Sequence, residues 1–213
     1  MIHILSQKQS IANHFLFEMR DKDIQNDRAR FRQNLKRMGN FMAFEISKTL
    51  KYKEAEVATP LGNAKTQLLA NQPLIICVLR AALPLYNGFM EVFDQADGGF
   101  IGAYREESEE INIQLEYYAS PSVEDRVVIV VDPMLATGGS MVKSIDQLLK
   151  YGQPDHIHIA SVVAAPEGIN YISQKIKNDY TLWAFAVDEK LDDRAYIVPG
   201  LGDAGDLSFG EKI

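Results

Sequence analysis

The chain has 213 residues, of which 46% are apolar and 24% charged, and 22 Lys and Arg against 29 Asp and Glu leave a formal net charge of −7. Those values describe a globular domain with at most an appendage, and they exclude disordered and fibrous architectures. The acidic balance disfavours bulk binding of a nucleic-acid backbone, although a local basic site could still hold a small anion.

Cys77 is the sole cysteine, so no intrachain disulfide can form, which suits a reducing cytosol. Met1 to Ser10 has no cationic stretch followed by an apolar core, so no secretory signal is expected. The longest pure apolar runs, Leu74 to Leu79 and Val127 to Val131, fall far short of the ~20 residues of a membrane span. The expectation is a cytoplasmic protein with no membrane contact.

In chain order, the first third reads helical. Phe31, Leu35, Met38, Met42, Ile46 and Leu50 recur at steps of three and four, which predicts one helix face between Asp27 and Leu50, with Gly39 as a weak point. Arg28, Arg30, Arg32, Lys36 and Arg37 cluster there and read as a solvated face or a subunit contact. Pro60, Gly62 and Asn63 mark a turn. Leu74 to Leu79 has the length and β-branching of a buried parallel strand. A helix is expected over Pro84 to Ala96 and a strand over Gly99 to Tyr104.

Glu106, Glu107, Glu109 and Glu110 form an acidic run, and Ile111, Ile113, Leu115 and Tyr117 then alternate as in a half-exposed antiparallel strand. Arg105 to Val123 therefore reads as a hairpin-like excursion. Val127 to Val131 is the strongest buried strand. A glycine-bearing loop and a helix from about Ser140 to Tyr151 follow, stopped by Gly152. His156 to Ala164 reads as a strand, Glu167 to Lys177 as a helix and Tyr180 to Val187 as a strand. Tyr196 to Gly210, with Gly200, Gly202, Gly205 and Gly210, reads as a structured loop rather than a packed element. The alternation defines an α/β class with a mainly parallel sheet flanked by helices.

The chemistry concentrates in Asp132-Pro133-Met134-Leu135-Ala136-Thr137-Gly138-Gly139-Ser140. This loop lies at the carboxyl end of a strand and opens a helix, the usual ligand position in an open α/β sheet. Helix N–H groups, backbone exposed by Gly138 and Gly139, and the hydroxyls of Thr137 and Ser140 would together cradle a monophosphate. A plain side-chain helix cap is the competing reading. Asp132, set a turn away, would accept from sugar hydroxyls. No lysine is present to make this a P-loop, and Gly200-Leu-Gly-Asp-Ala-Gly205 is followed by too few residues for a dinucleotide fingerprint.

Arg80 and Arg105 each follow a strand end. Surface ion pairs and anion contacts are both open readings for them. His156 and His158, two apart on one strand, allow metal ligation or ordinary packing. There is neither a nucleophile elbow nor a metal-spaced Cys/His set.

Val127 to Ser140 resembles the signature of type I phosphoribosyltransferases. Val78-Leu-Arg-Ala-Ala-Leu83, Gly102-Ala-Tyr-Arg-Glu-Glu107, Ala164-Ala-Pro-Glu-Gly168 and Tyr196-Ile-Val-Pro-Gly-Leu-Gly-Asp-Ala-Gly-Asp206 narrow the resemblance to the uracil phosphoribosyltransferase family, over about Phe31 to Gly210.

The resemblance implies transfer of phosphoribose from 5-phospho-α-D-ribose 1-diphosphate (PRPP) to uracil, with Mg²⁺ carried mainly by the diphosphate and no metal site of the chain's own. It implies that Asp132 to Ser140 hold the phosphoribose and that Arg80 and Arg105 meet the diphosphate, with Asp132 and Arg105 central to catalysis. Ile197, Gly202, Asp203 and Ala204 would form the uracil pocket, Asp203 also lying near PRPP. It implies an N-terminal helical segment about 1–52, a core about 53–190, a C-terminal hood about 191–213, a flap after Arg105 and a homo-oligomer. Two departures stand out: Pro133 replaces a second acid of many type I relatives, as in the uracil branch, and Ala82 stands where glycine is expected. A purine or orotate phosphoribosyltransferase and a non-catalytic nucleotide sensor on the same fold are the rivals.

Overall fold

The computed structural model describes the backbone of residues 1–106 and 112–211, and the side chains of 1–102 and 117–211. Six helices are described: α1 (Ala12–Arg20), α2 (Arg28–Ser47), α3 (Leu83–Val92), α4 (Gly139–Leu148), α5 (Pro166–Lys175) and α6 (Ala204–Phe209). The strands of the main sheet are β1 (Ile2–Ile4), β4 (Leu74–Leu79), β5 (Asp97–Glu106), β6 (Asn112–Ala119), β7 (Val127–Val131), β8 (Met134–Leu135), β9 (His156–Ala164) and β10 (Tyr180–Val187). Two pairs stand apart from it: β2 (Tyr52–Thr59) with β3 (Gly62–Leu69), and β11 (Lys190–Leu191) with β12 (Ile197–Val198).

The sheet runs β1-β10-β9-β7-β4-β5-β6, with the short β8 beside β9. Every pair is parallel except β5–β6, which is antiparallel. Both faces are covered, which is why β4 and β7 are apolar throughout. Ile75, Cys77, Ile129 and Val131 pack with α1, α2 and α3, while Leu74, Ile76, Val128 and Val130 pack with α4 and α5. Each buried large apolar side chain contributes roughly 1.5–3 kcal/mol, so these two layers dominate the stability.

Several sequence expectations are corrected. The N-terminal segment is not purely helical: β1 adds a parallel edge strand in register with β10, Ile2 to Leu182 and His3 to Trp183. The turn at Pro60 to Asn63 joins two strands that the sequence concealed. Gly39 is not a weak point of α2. A Cβ there would stand 2.2 Å from Leu85 O, and one on Gly88 of α3 would stand 2.1 Å from Lys36 O, so the two glycines let the helix backbones touch.

The basic cluster of α2 is not a merely solvated face either. Arg30 Nε donates to Glu18 at 2.9 Å, Arg32 Nη1 donates to Ser208 O at 2.7 Å, and Arg37 lies over the Phe15 ring. Tyr196 to Gly210 is a packed element: it contains β12 and α6, and Ile197, Leu201 and Ala204 belong to the same core as the helices.

Candidate active site

The strand order reverses at β4. The chain leaves β4 for β5 on one side and returns to β7 on the other, so the crevice between the carboxyl ends of β4 and β7 is a topological switch point. Cys77 and Val131 stand side by side across it. Arg80, Ala81 and Ala82 follow β4, and Asp132 to Gly138 follow β7. Burial, and then the Asp132 carboxylate, push the Cys77 thiol well above its ordinary pKa, so it is not a nucleophile at neutral pH.

The loop after β7 is shaped by its backbone. Asp132 N–H donates to Ala160 O at 3.1 Å, and Asp132 Oδ1 accepts from Met134 N–H at 3.3 Å. Met134–Leu135 then pairs with β9. The cap of α4 is Gly138 at φ +81, and no side chain caps it, which removes the plain-cap reading. Only a marginal 3.5 Å contact from Gly139 N–H to Thr137 Oγ1 lies nearby. The first turn of α4 therefore presents N–H groups that no capping side chain occupies, and its dipole favours an anion there.

Gly138 is fixed in place from below. A Cβ on it would meet Gly168 O at 2.9 Å, and one on Gly168 would meet Ala136 O at 2.2 Å. The sequence Ala164 to Gly168 thus serves as the floor of this loop: Pro166 starts α5, and Gly168 allows the loop backbone to rest on it.

Across the crevice, Arg80 Nη2 donates to Asp206 Oδ1 at 2.6 Å and to Gly210 O at 2.9 Å, which joins the β4 loop to α6. Asp203 caps α6, its Oδ1 accepting from Gly205 N–H at 2.8 Å and Asp206 N–H at 2.9 Å. Gly202, at φ +87, and Asp203 border a cavity of about 420 Å³ with Gln25, Arg28 and Leu207. Ile197 and Ala204 are buried in the core, where their side chains belong to the same cluster as the helices. Ala82 has ordinary αR torsions, φ −74 and ψ −16, and is fully buried; its Cβ imposes no strain on the loop.

Arg105 lies near the outer end of β5, past Gly102, which is level with Leu79. Its side chain, and the acidic run after Glu106, lie outside the described residues. The expected antiparallel strand is present, but it is not an excursion from the sheet: β6 is the edge strand of the main sheet, paired with β5 from Phe100 to Glu106.

Two groups escaped the sequence reading. Arg20 and Asp188 form a two-pronged ion pair, with N–O distances of 2.7 and 3.1 Å. Asp188 Oδ2 also accepts from Gly200 N–H at 3.0 Å, and Arg20 Nη1 donates to Gly200 O at 3.2 Å. This clamp fixes the strand-end segment that carries Gly200 to Gly202. Its members lie 168 positions apart, so no local pattern announces it.

The histidines belong elsewhere. His156 and His158 begin β9 at the amino end of the sheet, bordering a separate cavity of about 920 Å³ with His3 and Trp183. Trp183 Nε1 donates to His158 Nδ1 at 3.1 Å, His156 Nε2 lies 3.0 Å from Thr181 Oγ1, and His3 stacks on Trp183. This is packing. Among the described residues, no group of three or more His, Cys, Asp or Glu could hold a metal ion.

Burial, then His156 and His3, lower the His158 pKa from 6.5 to about 3. In the unfolded chain the ring takes up a proton near pH 6.5, whereas the folded form resists to about 3. Stability is therefore complete above pH 6.5 and is lost as pH falls through that window. His158→Gln should remove this loss, about 3 kcal/mol at pH 4. Urea unfolding of both proteins at pH 7.5 and 4 measures it, and equal losses would defeat the assignment.

The doubly covered parallel sheet and the uncapped glycine loop at its switch point fit the type I phosphoribosyltransferase class that the sequence resembles. A family profile narrows this further, matching residues 6–211 to the family described as uracil phosphoribosyltransferase. The chain belongs to that family.

The uracil phosphoribosyltransferase of Porphyromonas gingivalis (strain ATCC 33277) is 46% identical over 215 residues, covering 100% of this chain and 99% of the relative. That of Thermococcus gammatolerans is 40% identical over 201 residues, covering 93% and 88%. Among solved structures, the AQ2163 protein of Aquifex aeolicus superposes with a TM-score of 0.89 at 31% identity, with both chains fully covered. No helix of the described residues is long and apolar enough to cross a membrane.

Proposed function

We propose that the chain transfers the 5-phosphoribosyl group from PRPP to uracil, giving uridine monophosphate and diphosphate, a pyrimidine-salvage reaction. The observation that carries this reading is the α4 N-terminus, left without a side-chain cap at the switch point, with Arg80 on the loop that follows the neighbouring strand β4. Thr137 to Ser140 take the 5-phosphate, Pro133 to Ala136 lie along the sugar and Asp132 accepts from its hydroxyls. Arg80 and Arg105 meet the diphosphate. Gly202, Asp203, Ala204 and the backbone of Ile197 hold uracil, with Asp203 turned also toward PRPP.

Bond breaking at the anomeric carbon builds positive charge on the ribose and negative charge on the leaving diphosphate. Asp132 answers the first and the arginines the second. The diphosphate oxygens would hold Mg²⁺, which would supply charge neutralisation there, and the carboxylates of Asp132 and Asp203 could share such an ion without enclosing it. The β5–β6 hairpin acts as a flap that excludes water from the activated sugar.

Purified protein with PRPP and Mg²⁺ should release one diphosphate for each uracil consumed. Preference for hypoxanthine or orotate would replace this reading with another phosphoribosyltransferase. PRPP binding without turnover on any base would make the chain a sensor.

The β2–β3 hairpin supports a homo-oligomer. Its residues are exposed on both faces, with Leu61 wholly exposed and Tyr52, Val57 and Leu68 about half so. A two-stranded hairpin on its own is marginal in water, so a second copy of the chain covers it. Light scattering should show a homo-oligomer, and deletion of residues 55–66 should give a folded monomer. A wild-type monomer would overturn this.

A further inference from the structure

Arg80 is anchored at one corner. Its guanidinium donates through Nη2 to both Asp206 Oδ1 and Gly210 O. Its Nε is buried and has no hydrogen-bond partner among the described residues. Leaving an N–H of a cation buried and unpaired is unfavourable, so that edge awaits a ligand. Gly205 lies against that edge: a Cβ on it would stand 3.6 Å from Arg80 Nε and 3.1 Å from Asp203 Oδ1.

Asp206 itself is held in place. It sits in the first turn of α6, where its N–H is bound by Asp203. The side chains of Arg80 and Asp206 are 36% and 35% exposed, and a pair so exposed adds little to stability. What the contact supplies is orientation. A guanidinium carries five N–H donors in a rigid fork. Fixing Nη2 against a carboxylate and a carbonyl aims the remaining edge without using the donors that an anion needs.

We propose that Asp206 is a positioning residue for donor binding: it locks Arg80 so that the Nε edge is presented to the diphosphate of PRPP, and so ties the hood to the donor site. This rests on the assignment of Arg80 to diphosphate made above. It differs from a competitive arrangement, in which Asp206 would occupy the anion's place, because the ion pair leaves Nε unused.

The test uses the full chain. Steady-state kinetics with uracil and calorimetry with Mg²⁺ and inorganic diphosphate are measured for Arg80→Ala, Asp206→Ala, the isosteric Asp206→Asn and the double variant Arg80→Ala/Asp206→Ala. Asp206→Asn guards against a folding defect in Asp206→Ala. Asp206→Ala should raise the PRPP KM and the diphosphate Kd about tenfold, the loss of one charge-assisted bond's worth of orientation, and Asp206→Asn, whose amide oxygen can still accept from Arg80, about threefold, while the uracil KM moves less than about twofold. The double variant should be no worse than Arg80→Ala, since Asp206 acts through Arg80.

Tighter diphosphate binding by Asp206→Asn would show competition and overturn the proposal. So would wild-type donor kinetics in both Asp206 variants when Arg80→Ala is impaired, with the donor assignment of Arg80 left standing. Unchanged donor kinetics in Arg80→Ala would instead remove that assignment, and the positioning role with it.

Discussion

Asp132→Asn is expected to lower kcat by about 100-fold, roughly 2.7 kcal/mol of transition-state stabilisation, while the PRPP KM moves less than about threefold. The fold should survive. The backbone N–H of this residue donates to Ala160 O, and its Oδ1 accepts from Met134 N–H, a bond that an amide oxygen can still accept. What disappears is the negative charge at the end of β7, beside the sugar that becomes cationic as the diphosphate leaves. An interaction that strengthens with developing charge is felt in kcat more than in binding. Single-turnover measurements separate chemistry from product release. A kcat near wild type with a raised KM would reduce Asp132 to a ground-state contact with ribose hydroxyls.

How much of this was legible in the sequence depended on whether the signal was local. β4 and β7 were readable because burial on both faces demands an unbroken apolar run. The Asp132 to Ser140 loop was readable because glycine, hydroxyl and carboxylate chemistry are packed into nine neighbouring positions. The β2–β3 hairpin was not, since exposure on both faces removes the alternation that marks a strand, and only its turn residues showed.

α6 was hidden for another reason. Six residues are too few for a helical period, and Gly202, Gly205 and Gly210 disguised it as loop, although Asp203 ahead of it is a proper helix cap. The ties that organise the site were beyond local reading. Arg20 to Asp188 and Arg80 to Asp206 span 168 and 126 positions, and only the folded topology brings them together. The hood's buried side chains likewise show that it is part of the core. Cutting the chain before Tyr196 would expose that core, so base recognition is better probed by substrate choice and point substitution.

Cytosine is expected to be rejected relative to uracil by about 10⁴-fold in kcat/KM, the order reached by sites that hydrogen-bond a substrate group. Along the recognised edge uracil offers acceptor, donor, acceptor at O2, N3–H and O4, and cytosine reverses the last two. The cavity at Gly202 and Asp203 also carries the polar side chains of Gln25, Asn26, Arg28, Asp206 and Glu211, so the discrimination is assigned to peptide groups held in place rather than to a lack of polar side chains. Ile197 and Ala204 pack in the core, so the reading of the base is assigned to the peptide groups of the neighbouring Gly200 to Gly202 segment. Those peptides are also held: Gly200 has its N–H on Asp188 and its carbonyl on Arg20, and Gly202 sits at φ +87 next to the Asp203 cap. A fixed donor or acceptor facing the wrong group is left unsatisfied, and two mismatches together account for the factor. The clamp should therefore carry part of the selectivity. Asp188→Ala frees the Gly200 peptide, so it should raise the uracil KM and narrow the uracil-to-cytosine ratio by about tenfold or more, with the PRPP KM little changed. Competition assays with both bases, on protein checked for folding, measure the ratio directly. Comparable kcat/KM for the two bases in the wild type would place base recognition outside the hood. An unchanged ratio in Asp188→Ala would show that the pocket is rigid without its clamp.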